Sequence, residues 1–121
     1  MANILIVDDS ITSRKILKNI LRDNGHEIIG EAINGEDAVN KYKELNPDIV
    51  TMDITMPVMD GLEALKKIME IDKNAKVVMV TAAGQKTKIV DAVKYGAAEF
   101  LTKPYEADQI IDIINKVLSH K

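Results

Sequence analysis

The sequence predicts an α/β fold: a five-stranded parallel sheet of strand order 2-1-3-4-5, with helices on both faces. Three observations predict it. Short Ile- and Val-rich runs alternate five times with helix-length amphipathic stretches. Strands one, three and four are apolar almost throughout, as a parallel sheet covered on both faces requires. Four runs also stop at a chemically active residue: Ile4-Leu5-Ile6-Val7 at Asp8-Asp9, Ile49-Val50-Thr51-Met52 at Asp53, Val77-Val78-Met79-Val80 at Thr81, and Phe100-Leu101-Thr102 at Lys103-Pro104. Right-handed crossovers bring all parallel strand ends to one edge. In open sheets of this order ligands bind at that edge, where the winding reverses between strands one and three.

Each element has its own signal. After the first strand, residues 10–24 place Ile16, Leu17, Ile20 and Leu21 on one helix face, with Ser10 as cap and Gly25 as terminator. Residues 27–32 read as strand two, and Asn34-Gly35 as a turn. Ala38, Tyr42 and Leu45 mark a second helix, closed by Asn46-Pro47. Strand three ends at Asp53, and the loop of residues 55–59 leads through Asp60-Gly61 into a helix striped by Leu62, Leu65, Ile68 and Met69. Strand four ends at Thr81. Beyond Gly84, Ile89, Val90 and Val93 stripe a fourth helix that Gly96 closes, and residues 99–102 form strand five. A last helix, about 107–119, repeats Ile110, Ile113, Ile114, Val117 and Leu118.

Composition narrows the function classes. With 121 residues, 46% hydrophobic and 29% charged, the chain can bury one core, so residues 1–121 are expected to form a single domain with no output domain. No Cys is present, which removes disulfide, zinc-thiolate and thiol-nucleophile chemistry and fits a reducing compartment. The chain runs from Met1-Ala2-Asn3 straight into an apolar strand, and a cytoplasmic location with no membrane partner is expected. A net charge of −3, one Phe, three Tyr and no Trp provide neither a basic stripe nor a stacking platform, so nucleic acid is not an expected direct partner.

Taken singly, Asp8, Asp9, Asp53, Thr81 and Lys103 are ordinary: helix caps, solvated acids, a strand-end hydroxyl, a surface lysine. Together at one sheet edge they are not. Like charges packed there repel by about 1 kcal/mol or more per close pair unless something positive lies among them. Lys103 and a hard divalent cation meet that need. Mg²⁺ suits the set, because it takes oxygen ligands at about 2.0–2.1 Å and keeps several waters, and Mn²⁺ is an acceptable substitute. Once neutralised, one carboxylate can attack phosphorus and form an aspartyl phosphate. Asp53, on a central strand facing the other acids, is read as that nucleophile. Phosphoryl transfer rests on positioning and charge stabilisation, and Thr81 and Lys103 can each bind an oxygen of the new group.

These motifs, Val7-Asp8-Asp9-Ser10, the run from Met52-Asp53 to Asp60-Gly61, Met79-Val80-Thr81-Ala82 and Lys103-Pro104, resemble those of response-regulator receiver domains. Within that family the chain is similar to the single-domain, CheY-like chemotaxis regulators of two-component systems, whose fold is flavodoxin-like. The resemblance runs from Ala2 to the last helix. It implies that Asp53 accepts a phosphoryl group from a phosphohistidine on a CheA-like sensor histidine kinase, and that the protein catalyses its own phosphorylation and dephosphorylation without being an enzyme in the usual sense. It also implies that Asp9, Asp53 and the backbone carbonyl of Thr55 bind Mg²⁺ directly, with Asp8 acting mainly through water. Thr81 and Phe100 would form the switch. Phe100 stands where the family often has Tyr and offers no hydroxyl, so the switch must be felt through packing. Thr55 and Ala83 flank the path of the hydrolytic water, and Ala83 has nothing with which to orient it. The expected partner surface includes Lys88, Asp91, Lys94, Tyr95 and Tyr105, and the partners are the kinase, a motility motor switch or motor adaptor protein, and a phosphatase, with the chain acting as a monomer.

Two other classes fit the residues less well. A haloacid-dehalogenase-type phosphatase places a general acid two residues after its nucleophile, where this chain has Thr55. A flavodoxin-type module cradles flavin phosphate in the first strand-to-helix loop, where Asp8-Asp9 would repel it. Within the family, a phosphorelay intermediate that passes the group to a histidine phosphotransfer protein stays open beside the chemotaxis reading.

Overall fold

A computed structural model describes residues 2–82 and 84–119, with Lys86 described by its backbone only. Five strands and five helices alternate: β1 (Asn3–Val7), α1 (Ile11–Asp23), β2 (Glu27–Ala32), α2 (Gly35–Leu45), β3 (Ile49–Asp53), α3 (Gly61–Ile71), β4 (Val77–Ala82), α4 (Lys86–Lys94), β5 (Glu99–Lys103) and α5 (Ala107–Ser119). The strands pair in parallel in the order β2-β1-β3-β4-β5. The expected topology is therefore the observed one.

Strand alternation sorts the apolar residues into two cores. Leu5, Val7, Val50, Met52, Val77 and Met79 face α2, α3 and Ala92 of α4. Ile4, Ile6, Ile49, Val78 and Leu101 face α1 and α5, where Leu17, Leu21, Ile110, Ile114 and Val117 close the layer. Full burial of such a side chain is worth about 1.5–3 kcal/mol, which is why central strands carry no polar residue except at their ends and at Thr51. The buried Thr51 hydroxyl has no partner among the described residues. The same period of two carries Asp8, Asp53 and Lys103 past the edge of the second core, on the α1 and α5 side of the sheet.

Helix starts follow capping chemistry. Ser10, Asn34 and Asp60 accept from the backbone N–H groups of Ser13, Asp37 and Glu63 at the starts of α1, α2 and α3. Asn34-Gly35 is thus a helix start and not the turn expected. Two expected stripes also need correction. Ile16 is 55% exposed, so α1 buries Leu17 and Leu21 and turns Ile16 outward. Val90 and Val93 are likewise exposed, and α4 instead seats the small Ala92 against the sheet. Strands β4 and β5 each run one residue beyond the expected end, to Ala82 and Lys103.

The loop after β3 is pinned by two close approaches. A Cβ at Gly61 would lie 2.1 Å from the carbonyl oxygen of Asp53, and its N–H donates to the Ile54 carbonyl at 2.7 Å. A Cβ at Gly35 would lie 2.5 Å from the Met59 carbonyl oxygen, to which the Gly35 N–H donates at 2.8 Å. Between them Val58, 78% exposed, holds a φ of 68° while the Met59 N–H donates to Pro57. A β-branched residue in that region costs of order 1–3 kcal/mol.

Gly61→Ala is expected to destabilise the protein by about 1–3 kcal/mol, because backbone and not a flexible side chain blocks the new methyl. Denaturant titration measures the loss, and an unchanged midpoint would show that α3 can move away from Asp53.

Candidate functional site: an acidic cluster at the carboxyl edge of the sheet

Three carboxylates meet one ammonium at the expected edge. One oxygen each from Asp8, Asp9 and Asp53 lie within 4.8 Å of one another. The Lys103 ammonium donates to Asp8 Oδ2 at 3.0 Å and stands 3.5 Å from Asp53 Oδ2. Asp8 is buried, and its other oxygen accepts from the Ser10 N–H at 2.9 Å. Its carboxylate is therefore committed on both sides, whereas Asp9 is exposed and Asp53 half-buried. The geometry brings together the acids and the lysine expected from sequence.

The electrostatics are unbalanced. Burial pushes the Asp53 carboxyl pKa up, Lys103 pulls it down, and the charges of Asp8 and Asp9 push it up again, for a net rise. Burial works against the Lys103 ammonium, but its hydrogen bond to Asp8 and the charges of Asp53 and Asp8 outweigh this, and its pKa is raised. Lys103 is thus a fixed cation, and the cluster retains an excess of negative charge. A hard cation with oxygen preference fits that donor set.

The remaining site residues are less closely gathered. Thr81 is fully buried on β4, one residue beyond Val80, which pairs with Asp53. Alternation puts Thr81 on the face of Val77 and Met79, opposite Asp53. Its hydroxyl donates to Gln85 Oε1 at 2.7 Å and lies 3.2 Å from the Ala82 carbonyl. Thr55 is exposed, and its hydroxyl accepts from Gln85 Nε2 at 2.8 Å. Ala83 lies outside the described residues. Phe100 pairs with Met79 on the edge strand and is 41% exposed, hence turned outward.

On the expected partner face, Lys94 and Tyr95 are exposed, and Lys88 and Asp91 are half-buried. The Lys66 ammonium stands 5.7 Å from the Tyr95 ring centroid. Tyr105 departs from expectation: it packs against the α1 and α5 core, and burial raises its phenol pKa, so its ring is partly structural.

Sequence reasoning missed two residues. Arg14 donates from Nη1 to the Asp8 carbonyl at 2.7 Å and from Nε to Glu31 at 3.1 Å, while Lys18 reaches Glu31 at 2.8 Å. It ties the β1–α1 loop to β2. Its only signal was a basic residue four positions after a helix cap. Gln85, at the start of α4, was the other, signalled only by a residue type that caps helices poorly.

A doubly wound sheet with acids, a hydroxyl and a lysine at its carboxyl edge defines a receiver-type domain. The chain belongs to the response regulator receiver domain family, which residues 4–115 match. Two-component response-regulator function goes with that membership. It is 51% identical to the chemotaxis protein CheY of Thermotoga maritima over 114 residues, 94% of this chain and 95% of that one. The likeness to the chemotaxis protein CheY of Bacillus subtilis is 52% over 116 residues, 96% of this chain and 97% of that one. Among solved structures, the CheX-CheY-BeF3-Mg complex from Borrelia burgdorferi superposes with a TM-score of 0.91 at 45% identity, covering 96% of this chain and 88% of that chain.

A carboxyl with a raised native pKa weakens folding as it ionises: the stability present below the unfolded value of 3.8 is lost as pH rises through the native value. In metal-free buffer at pH 7, Asp53→Asn is therefore expected to raise the thermal midpoint, with the gain disappearing below about pH 4. Added Mg²⁺ should stabilise wild type more than the variant. Thermal scans with a chelator and with Mg²⁺ measure both effects, and a lower midpoint for metal-free Asp53→Asn would contradict the charge imbalance.

Proposed function

We propose that Asp53 accepts a phosphoryl group from the phosphohistidine of a CheA-like sensor histidine kinase, and that the phosphorylated chain, a single receiver domain in the cytoplasm, controls a motility motor switch or its adaptor. The observation that carries this reading is the Lys103 ammonium held between Asp53 and Asp8 inside a cluster of three acids.

The chemistry follows from the cluster. A carboxylate oxygen of Asp53 attacks phosphorus, the O–P bond forms and the N–P bond breaks, and the electron pair leaves with the imidazole nitrogen. Lys103, already 3.5 Å from Asp53, takes a phosphoryl oxygen by a charge-assisted bond. As the family resemblance implies, Asp9, Asp53 and the Thr55 carbonyl would hold Mg²⁺ or Mn²⁺ directly and Asp8, whose two oxygens each already accept a hydrogen bond, would act mainly through water. The metal supplies neutralisation of the acids and of phosphoryl charge. No separate base is required, because a carboxylate is nucleophilic as it stands.

The signal would leave through Thr81. Drawn toward a phosphoryl oxygen, its hydroxyl would vacate the α4 side of β4, and the outward Phe100 could turn in, altering the face that carries Lys88, Asp91, Lys94 and Tyr95. The Borrelia burgdorferi CheY is in complex with CheX in the solved structure, which supports a CheX-like protein as a partner here.

Acetyl phosphate with Mg²⁺ should add one phosphoryl mass to wild type and none to Asp53→Asn. Lys103→Ala should slow the reaction by about 10²-fold. Thr81→Ala should still be phosphorylated while losing the phosphorylation-dependent rise in partner affinity. Intact-mass spectrometry and partner titration are the measurements, and a phosphorylated Asp53→Asn would reassign the acceptor.

A further inference from the structure

The hydroxyl that must read a phosphoryl group is already occupied. Thr81 Oγ1 carries one proton, and it is given to Gln85 Oε1 at 2.7 Å, with the Ala82 carbonyl a longer second acceptor at 3.2 Å. The other end of the same carboxamide donates from Nε2 to Thr55 Oγ1 at 2.8 Å. An amide used at both ends has a fixed polarity: Thr81 is the donor and Thr55 the acceptor. The bridge joins the end of β4, the first residue before α4 and the loop after Asp53.

Gln85 occupies the N-cap position of α4, where Ser, Thr, Asp or Asn would serve best, and its side chain makes no capping bond. The three preceding helices all use such a cap, at Ser10, Asn34 and Asp60. At α4 the side chain reaches across to Thr81 and Thr55 instead. Asn at this position would fall one methylene short of the span, and Glu would offer no donor to Thr55.

We propose that Gln85 is a latch on Thr81: a positioning residue whose amide oxygen competes with a phosphoryl oxygen for the single Thr81 proton, and whose release unties the start of α4. The inference rests on Asp53 being the acceptor. Donation to Gln85 and donation to a phosphoryl oxygen exclude each other. A charge-assisted bond is about twice as strong as a neutral one, so the phosphoryl group wins, but only after the Gln85 bond is broken. The latch sets how far the resting protein lies from the switched arrangement. It acts on the rotamer of Thr81 and not on the reacting atoms.

The test uses the full chain as wild type, Gln85→Ala, Gln85→Asn, Thr81→Ala and the Thr81→Ala/Gln85→Ala double variant, with beryllofluoride and Mg²⁺ as the probe. Loss of one neutral hydrogen bond from the resting state should tighten beryllofluoride binding about two- to tenfold in Gln85→Ala and in Gln85→Asn. In the Thr81→Ala background the second substitution should change nothing. NMR couplings in ligand-free protein should show one Thr81 rotamer in wild type and several in Gln85→Ala. Unchanged Thr81 rotamers in Gln85→Ala overturn the latch whatever the probe does, and so does equal tightening in the Thr81→Ala background. Wild type that takes up no beryllofluoride would instead count against Asp53 as acceptor, and the rotamer measurement would still decide the latch.

Discussion

The ammonium of Lys103 is the constraint on which the carboxyl edge depends. Parallel crossovers force the ends of β1 and β3 together, and with them Asp8 and Asp53, since neighbouring strands in this topology share one direction. Two carboxylates at such range repel by about 1–4 kcal/mol, according to how much water screens them. Lys103 arrives from β5, at the far edge of the sheet, and its long side chain crosses to stand between them. Its own burial is opposed by the same acids that it pairs. One cation cannot balance three anions, and the remaining imbalance is what suits the edge to a hard cation.

Holding charged groups in a costly arrangement requires a stiff frame on one side. The α2 and α3 side supplies it: backbone meets backbone at Gly35 and Gly61, leaving no room for a methyl group at either. The carbonyl of Asp53 itself lies under Gly61, so the Asp53 main chain cannot drift without moving α3. Val58 pays a backbone strain in the connecting loop at an exposed position where packing gives nothing back. Strain of that kind persists when the surrounding structure over-determines the chain, and the two glycine contacts flanking this loop do so.

Most of the fold and the charged cluster were legible because both are written in local patterns. Alternating apolar runs, the cap at Ser10 and the strand-end acids need only periodicity and topology to be assembled. What escaped were choices made by three-dimensional packing. Nothing local says that Ile16 faces out while Leu17 faces in, because both fit an apolar stripe of similar phase. On α4 the apolar pattern pointed to Val90 and Val93, yet among the described residues it is the small Ala92 that is buried against the sheet. The bridge from Thr81 through Gln85 to Thr55 joins residues up to thirty positions apart, and no spacing rule reports a pairing that exists only once β3, β4 and α4 are in place. Tyr105 looked like surface by sequence and proved half core.

On α4 the sequence pattern misleads where a signalling domain needs freedom. Helix α4 is nine residues long, seats Ala92 and leaves Val90 and Val93 exposed, and Tyr95 and Phe100 beside it are 38% and 41% exposed. Its side chain at the start is spent on Thr81 and Thr55 and not on a cap. A short, uncapped helix with little buried surface sits at the low-stability end of a fold, so small free energies suffice to move it. A partner that grips these exposed apolar groups more tightly in one arrangement must, by linkage, favour whatever covalent state produces that arrangement. The weak packing of α4 is therefore the physical counterpart of the stiff packing of α3: one side fixes Asp53, and under the proposed function the other is poised to report on it.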